Sequence, residues 1–245
     1  MIFIEKGVKP TFGGHEKFVF RHGWLKKGVD AVAETPEIFV QEDAFVTLGV
    51  GKNMVRSIRH WCLAAGLIKE EKENQHSRPS LHVTDLGKSL VLDDGWDPYL
   101  EDAGTLWLIH WQIVTNQIRS LIWNITFSSF LVSEFSKKQL VGHVQNIIEF
   151  NHIRTTIGTI EREVDCCLRT YVFSRTARQD GLEDGLDCPL ADLDLIRFFY
   201  LLLINSSRIR LNRISPSVFL SAYFFVYFYA AVRSKTTEAP AVACV

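Results

Sequence analysis

The residues best suited to chemistry near the start of the chain are the neighbours His15 and Glu16. An imidazole beside a carboxylate can supply a general base or a metal ligand, and the nearby cations, Arg21 first among them, could hold phosphate groups. Adjacent side chains on a helix or strand point in different directions, so this pair needs partners from elsewhere to form a site. The simpler interpretation is a helix cap with surface salt bridges before an amphipathic helix over 24–33.

A second candidate pair is Asp165 and Arg169, which stand one helical turn apart in a predicted helix over 157–172. The apolar residues of that helix repeat at three- and four-residue steps, and this pair lies on its other side. By itself the spacing predicts an intrahelical ion pair worth roughly 0.2–0.5 kcal/mol. The alternative is a catalytic carboxylate beside a charge-stabilising guanidinium.

The stretch 44–69 contains four cations and no carboxylate, in a chain whose formal net charge is -1. Such a local excess of positive charge is typical of a surface that contacts polyanions, and DNA is the first partner to test. The alternative is an ordinary solvated helix face, or a face that packs against an acidic protein. The four cations are Lys52, Arg56, Arg59 and Lys69.

The same stretch has the pattern of a helix-turn-helix, with a short helix ending near Leu48, a turn at 49–51 and a second helix over 52–65. The second helix has a predicted buried stripe on one face and cations on the other. The stripe consists of Val55, Ile58, Cys62 and Ala65. The residues that we expect to contact bases and phosphates are Lys52, Asn53, Arg56, Arg59 and His60.

The segment that follows predicts a hairpin. A highly charged stretch separates two short apolar segments, and Thr84 can then cap another helix. The order strand, wing, strand, helix predicts a winged helix over 40–91. The pair Gly51-Lys52 does not indicate a phosphate-binding loop, because Val46 and Asn53 stand where that motif needs a glycine and a Ser or Thr.

Composition limits the class of protein. The 245 residues are 47% hydrophobic and 22% charged, which is ordinary for a globular protein and excludes a fibrous or disordered chain. The five cysteines lack paired CxxC spacing, so neither a disulfide framework nor a zinc site is indicated. The apolar runs near the C-terminus are too short to span a membrane. The N-terminus does not resemble a secretory signal, which predicts a cytoplasmic protein.

The sequence predicts a mainly α fold with small β content (α+β), in which an N-terminal winged helix-turn-helix precedes a helical region. A nearly all-apolar helix is expected over 102–122, and Ser136 with Gln139 predicts a capping box at the next helix. A buried strand and a helix starting after Ser215-Pro216 are expected near the C-terminus. The predicted divisions are 1–92 for the DNA-binding domain, 93–234 for a helical domain and 235–245 for a loose tail.

Four phrases of the sequence resemble the bacterial family known as domain of unknown function 4007. They cover nearly the whole chain in order, and they lie at 12–32, 48–61, 95–112 and 164–196. Members of this family occur with genes for DNA phosphorothioation, in which sulfur replaces a non-bridging phosphate oxygen as part of defence against phage. Relatives similar to the B component of the Ssp system are described as DNA nickases.

The resemblance therefore implies a DNA-binding protein of a phosphorothioation system that nicks one strand. Its implied partners are double-stranded DNA, a cysteine desulfurase and an ATP-using sulfur transferase, and a homodimer is a further option. The alternative is a non-catalytic winged-helix regulator or adaptor that recruits the sulfur-modification enzymes. No catalytic motif of the family can be carried over residue by residue.

If the chain cleaves DNA, water must attack a phosphodiester in line, which requires a base or a metal and cations near the phosphate. A divalent metal such as magnesium is one option. The residues that we expect to act as acid or base are His15, Glu16 and Asp165. Arg21 and Arg169 are the expected charge stabilisers.

Overall fold

The computed structural model describes residues 4, 7–72, 79–172, 188–201 and 206–212. Over these ranges the chain is mainly helical with two small sheets, which confirms the predicted α+β class. The helices are α1 (Trp24–Glu34), α2 (Ala44–Thr47), α3 (Lys52–Ala64), α4 (Asp85–Val91), α5 (Ala103–Thr115), α6 (Leu121–Ser128), α7 (Lys137–Phe150) and α8 (Ile157–Thr170). The strands are β1 (Ile68–Glu71), β2 (Ser80–Val83), β3 (Glu134–Phe135), β4 (Ile196–Leu201) and β5 (Ser206–Leu211).

Helix α3 is the centre of the N-terminal half. Its predicted stripe is confirmed, because Val55, Ile58, Cys62 and Ala65 are all buried. Helix α1 approaches α3 so closely at Gly28 that an added Cβ would lie 2.5 Å from the sulfur of Cys62. After α3, β1 and β2 form an antiparallel pair, and Thr84 caps α4 by accepting a hydrogen bond from the Gly87 N–H (3.0 Å).

The predicted single helix over 102–122 is wrong, because α5 ends at Thr115 and α6 begins at Leu121. Asn116 lies at the break. Its amide nitrogen donates to the carbonyls of Leu63 and Ala64, both at 3.2 Å, and its side-chain oxygen accepts from the Arg119 N–H at 3.0 Å. The last carbonyls of a helix have no partners within that helix. Asn116 therefore caps the end of α3, and the chain turns there.

The C-terminal half contains α7, α8 and a sheet with strand order β3-β5-β4. The predicted capping box is confirmed, since the Ser136 N–H donates to the Gln139 side chain at 2.8 Å. The predicted strand is confirmed as β4, which pairs antiparallel with β5, but it is not buried throughout, because Phe198 is 42% exposed. Residues 73–78 of the predicted wing, the helix predicted after Ser215-Pro216 and the tail predicted at 235–245 lie outside the described residues.

One buried apolar cluster includes side chains from α1 through β5, with Trp61 and Trp123 fully buried in it. The division at residue 92 remains a prediction, and the cluster contains side chains from both sides of it. The described cysteines, Cys62, Cys166, Cys167 and Cys188, are buried free thiols as expected. Across the described ranges, no helix combines the length and the apolar character that crossing a membrane requires.

Acid should destabilise the protein through His110. This ring is buried, its Nδ1 lies 2.7 Å from the Tyr171 hydroxyl, and burial lowers its pKa to about 3. Below pH 6.5 the unfolded chain binds a proton at this position and the folded chain does not, so stability falls as the pH drops from about 6.5 towards 3. We expect His110 to contribute a loss of about 3 kcal/mol at pH 4.5.

Urea unfolding of wild type and His110→Gln at pH 7.5 and pH 4.5 measures this loss. The acid loss should be smaller in His110→Gln, whereas His152→Gln, a change at an exposed histidine, should leave it unaltered. An equal acid loss in wild type and His110→Gln would contradict the assignment.

Candidate functional site

The loop 13–17, which carries the His15-Glu16 pair, has an unusual backbone. Glu16 has φ 48°, Lys17 has φ 68° and Gly13 has φ 76°. Residues other than glycine adopt this left-handed region infrequently, at a cost on the order of 1–3 kcal/mol each. The surrounding structure must therefore hold the loop in this conformation.

Hydrogen bonds from α8 and from the loop itself supply that support. The Lys17 N–H donates to Nδ1 of His15 at 3.0 Å, and Arg169 donates to the Lys17 carbonyl at 2.7 Å. The Gly13 N–H donates to the carboxylate of Glu163. The contacts with Glu163 and Arg169 join residues about 150 positions apart, so the loop conformation depends on how α8 packs.

The simpler interpretation, in which His15 belongs to a helix cap with surface salt bridges, is wrong. His15 is 1% exposed and lies against the rings of His60, Trp61 and Trp123. The backbone of Gly14 also approaches His60 closely, since an added Cβ would lie 2.5 Å from its Nδ1. His60 is 3% exposed, so the prediction that it contacts DNA is wrong. The buried arc of α3 is wider than the predicted stripe and includes position 60.

Glu163 is the site residue that sequence reasoning missed. Its Oε1 lies 3.2 Å from Nε2 of His15, an ion-pair distance without hydrogen-bond alignment. Burial lowers the pKa of His15, but its interactions with the nearby Cys166 and Glu163 side chains outweigh it and raise the pKa. The N–H donated by Lys17 opposes that protonation, because it uses the lone pair of Nδ1. The sequence does contain a signal for Glu163. This carboxylate lies three residues after Ile160 and four before Cys167, so it falls on the apolar face of the helix.

The other predicted catalytic residues lie in different surroundings. The Asp165 carboxylate lies 2.6 Å from Lys137 of α7, so the predicted ion pair with Arg169 is not formed. Arg169 donates instead to the backbone carbonyls of Asp165 and Lys17. Arg21 lies over the ring of Trp24 at 5.4 Å. Of the predicted catalytic residues, His15 and Glu16 belong to the loop and Arg169 donates to it. Asp165 and Arg21 do not line the cleft that lies beside the loop.

That cleft has a volume of about 260 Å³ and lies between the loop and the first turns of α8. Its ionisable lining side chains are His15, Glu16, Lys17, Arg162 and Glu163. Across the described residues, no three His, Cys, Asp or Glu side chains come together as they would around a metal ion.

The basic face of α3 lies beside this loop. Lys52, Asn53 and Arg56 are exposed, and Nη1 of Arg56 lies 3.3 Å from the Glu16 carboxylate. Arg59 is different, because it pairs with Glu70, which also accepts from Arg119 at 2.6 Å. The exposed part of the predicted DNA surface is therefore the N-terminal half of α3, and its Arg56 is joined to the loop through Glu16.

Comparisons with known proteins agree with this architecture. The family described as a protein of unknown function (DUF4007) matches residues 12–241. A magnesium ion-bound SspB crystal structure is similar at 32% identity with a TM-score of 0.73, and a second SspB crystal structure at 32% identity with a TM-score of 0.72. Both alignments cover 84% of this chain and 60% of the solved chain, so this chain spans less than two thirds of the length of those structures.

A search of curated proteins gave no match. The family match covers most of the chain, and the SspB structures agree with it in both sequence and fold. The chain therefore belongs to the DUF4007 family.

Proposed function

We propose that this chain binds double-stranded DNA through α3 and nicks one strand, as part of a bacterial DNA phosphorothioation and phage-defence system. The similarity to SspB supports the pathway. The observation that carries the DNA-binding part is the exposed cationic face of α3, whose Arg56 is paired with a carboxylate of the strained loop. A phosphate bound at Arg56 would lie next to the cleft.

The elements around α3 support a winged-helix arrangement. Helix α2, the turn at 49–51 and α3 follow the order of a helix-turn-helix, and β1 and β2 form the antiparallel hairpin of a wing. In such proteins the second helix enters the major groove with its N-terminal residues towards the bases. Lys52, Asn53 and Arg56 occupy the N-terminal part of α3.

Glu16 is the carboxylate best placed to act as a base in the proposed cleavage. Its side chain is 31% exposed, and its partner is the flexible, exposed side chain of Arg56. His15 and Glu163 are instead engaged in holding the loop, so we assign them positioning roles. A phosphate that pairs with Arg56 would free the Glu16 carboxylate to accept a proton from the attacking water. Lys17 would offset the negative charge on the phosphate.

Magnesium was bound in one of the SspB crystal structures. Proteins usually hold this ion through one or two carboxylates together with water and substrate phosphates. The two carboxylates of the cleft have other partners, since Glu16 faces Arg56 and Glu163 accepts from Gly13. The described cleft residues therefore do not form a magnesium site by themselves, and we derive no step through the ion. A magnesium requirement remains a prediction.

Replacing Arg56 with alanine should weaken binding to duplex DNA of any sequence, because the change removes an exposed cation from the proposed phosphate-contacting face. The slope of log affinity against log salt concentration should fall by about one unit, as expected for one lost phosphate contact. Fluorescence anisotropy over a salt series measures both quantities. Lys138→Ala, at an exposed cation on α7, is the control and should change neither. Equal losses in both variants would count against α3 as the DNA surface.

Supercoiled plasmid incubated with the full chain and magnesium tests cleavage, with a parallel sample in EDTA. We expect open circles, and we expect Glu16→Gln to bind DNA but nick slowly. Binding without any nicking would instead favour the adaptor function. That alternative is supported by the hydrogen bonds that engage His15 and Glu163 in holding the loop. Absence of salt-dependent DNA binding would favour an acidic protein partner for α3.

A further inference from the structure

We propose that the cleft beside the loop 13–17 binds a single phosphate group, and that the guanidinium of Arg162 donates hydrogen bonds to it. The inference rests on the proposed function in one respect, because the phosphate is assigned to the backbone of the strand that α3 holds. Arg162 belongs to neither the predicted DNA-contacting set nor the predicted catalytic set.

The first step of the argument concerns charge. Lys17 and Arg162 line the cleft together with Glu16 and Glu163. Glu16 pairs with Arg56, and Glu163 accepts from Gly13 and faces His15. Among the described side chains, no carboxylate pairs with Lys17 or Arg162. The positive groups of the cleft therefore remain available, which suits an anion better than a cation.

The second step concerns the orientation of Arg162. Its Nε donates to the Gly158 carbonyl at 3.0 Å, and its Nη2 donates to the Thr159 hydroxyl at 3.2 Å. These bonds hold the guanidinium over the first turn of α8, where the helix dipole favours negative charge. A guanidinium has five N–H groups, so donors remain for the oxygens of a phosphate, whose geometry a guanidinium matches.

The third step is a partly satisfied buried group in the same cleft. His15 lines the cleft and is 1% exposed. Its Nδ1 accepts from Lys17, so the proton that it can donate is on Nε2, whose neighbour Oε1 of Glu163 lies at 3.2 Å without hydrogen-bond alignment. A buried N–H with a poorly aligned acceptor is only partly satisfied, so it favours a better placed one. A phosphate oxygen in the cleft would accept this hydrogen bond.

The size of the cleft limits its ligand. Its volume of about 260 Å³ is below the roughly 300–1,000 Å³ of ordinary small-molecule pockets. A water molecule occupies about 30 Å³. The cleft therefore has room for a phosphate group with some water, and a complete nucleotide would extend into solvent.

Inorganic phosphate is the probe for a calorimetric titration of the full chain at low ionic strength. Wild type should bind it, and Arg162→Gln should weaken the affinity at least tenfold. Arg154→Gln, at an exposed arginine in the segment before α8, is the matched control and should bind normally. Thermal unfolding of each variant checks that the fold is intact, and a chloride titration at equal ionic strength controls for screening.

The inference is overturned if wild type does not bind phosphate, if chloride has the same effect, or if Arg162→Gln binds as well as Arg154→Gln. These outcomes differ from a failure of the proposed function. Phosphate binding without plasmid nicking would remove the nickase and keep the phosphate site. Full nicking by Arg162→Gln would keep the nickase and remove the site from its mechanism.

Discussion

Replacing Glu163 with alanine should lower the free energy of unfolding by about 3–5 kcal/mol. The Glu163 carboxylate is 3% exposed, accepts the Gly13 N–H and lies 3.2 Å from Nε2 of His15. Its removal leaves a buried imidazole without the neighbouring carboxylate and a loop N–H without its acceptor. Urea unfolding at pH 7.5 measures the loss.

The neighbouring Glu161 provides the control, because it lies on the same helix and is exposed. Glu161→Ala should change stability by less than about 0.5 kcal/mol, as surface changes usually do. Glu163→Gln keeps an acceptor for Gly13 but removes the charge, so we expect an intermediate loss. If Glu163→Ala and Glu161→Ala unfold at the same urea concentration, the buried pair does not stabilise the loop.

Replacing Gly87 with alanine should cost about 3 kcal/mol or more, the upper end of the usual range for overpacking. An added Cβ would lie 2.2 Å from the carbonyl oxygen of Leu67 and 3.0 Å from its carbon. That carbonyl also accepts hydrogen bonds from the backbone and hydroxyl of Thr84, at 3.0 and 3.1 Å. The clash is therefore with backbone that cannot move without breaking the junction between β1 and α4.

Gly142 is the matched control, since it also lies within a helix but has no atom within 4 Å of an added Cβ. Alanine is the better helix former by about 1 kcal/mol, so Gly142→Ala should stabilise the protein. Thermal unfolding should show midpoints that shift in opposite directions. A stabilising Gly87→Ala would show that α4 does not pack on Leu67 in this way.

Local spacing was sufficient for much of the secondary structure. The stripe of α3 and the capping box at Ser136 were predicted correctly, because helix periodicity and capping depend on residues three or four positions apart. The break at Asn116 was not predicted, since it depends on carbonyls of α3 more than 50 positions away. Local patterns contain no information about such a partner.

The candidate site shows the same division. The sequence alone determined that His15 and Glu16 are adjacent and that 44–69 lacks carboxylates. Only the tertiary structure decided that the buried partner of His15 is Glu163 rather than Asp165.

The charge of α3 was likewise decided by packing. Glu16 and Glu70 lie outside the carboxylate-free stretch, yet they fold back onto Arg56 and Arg59. The physical reason is that spacing along a helix determines which side chains share a face. The charges that meet that face come from segments brought together by burial of the common apolar core.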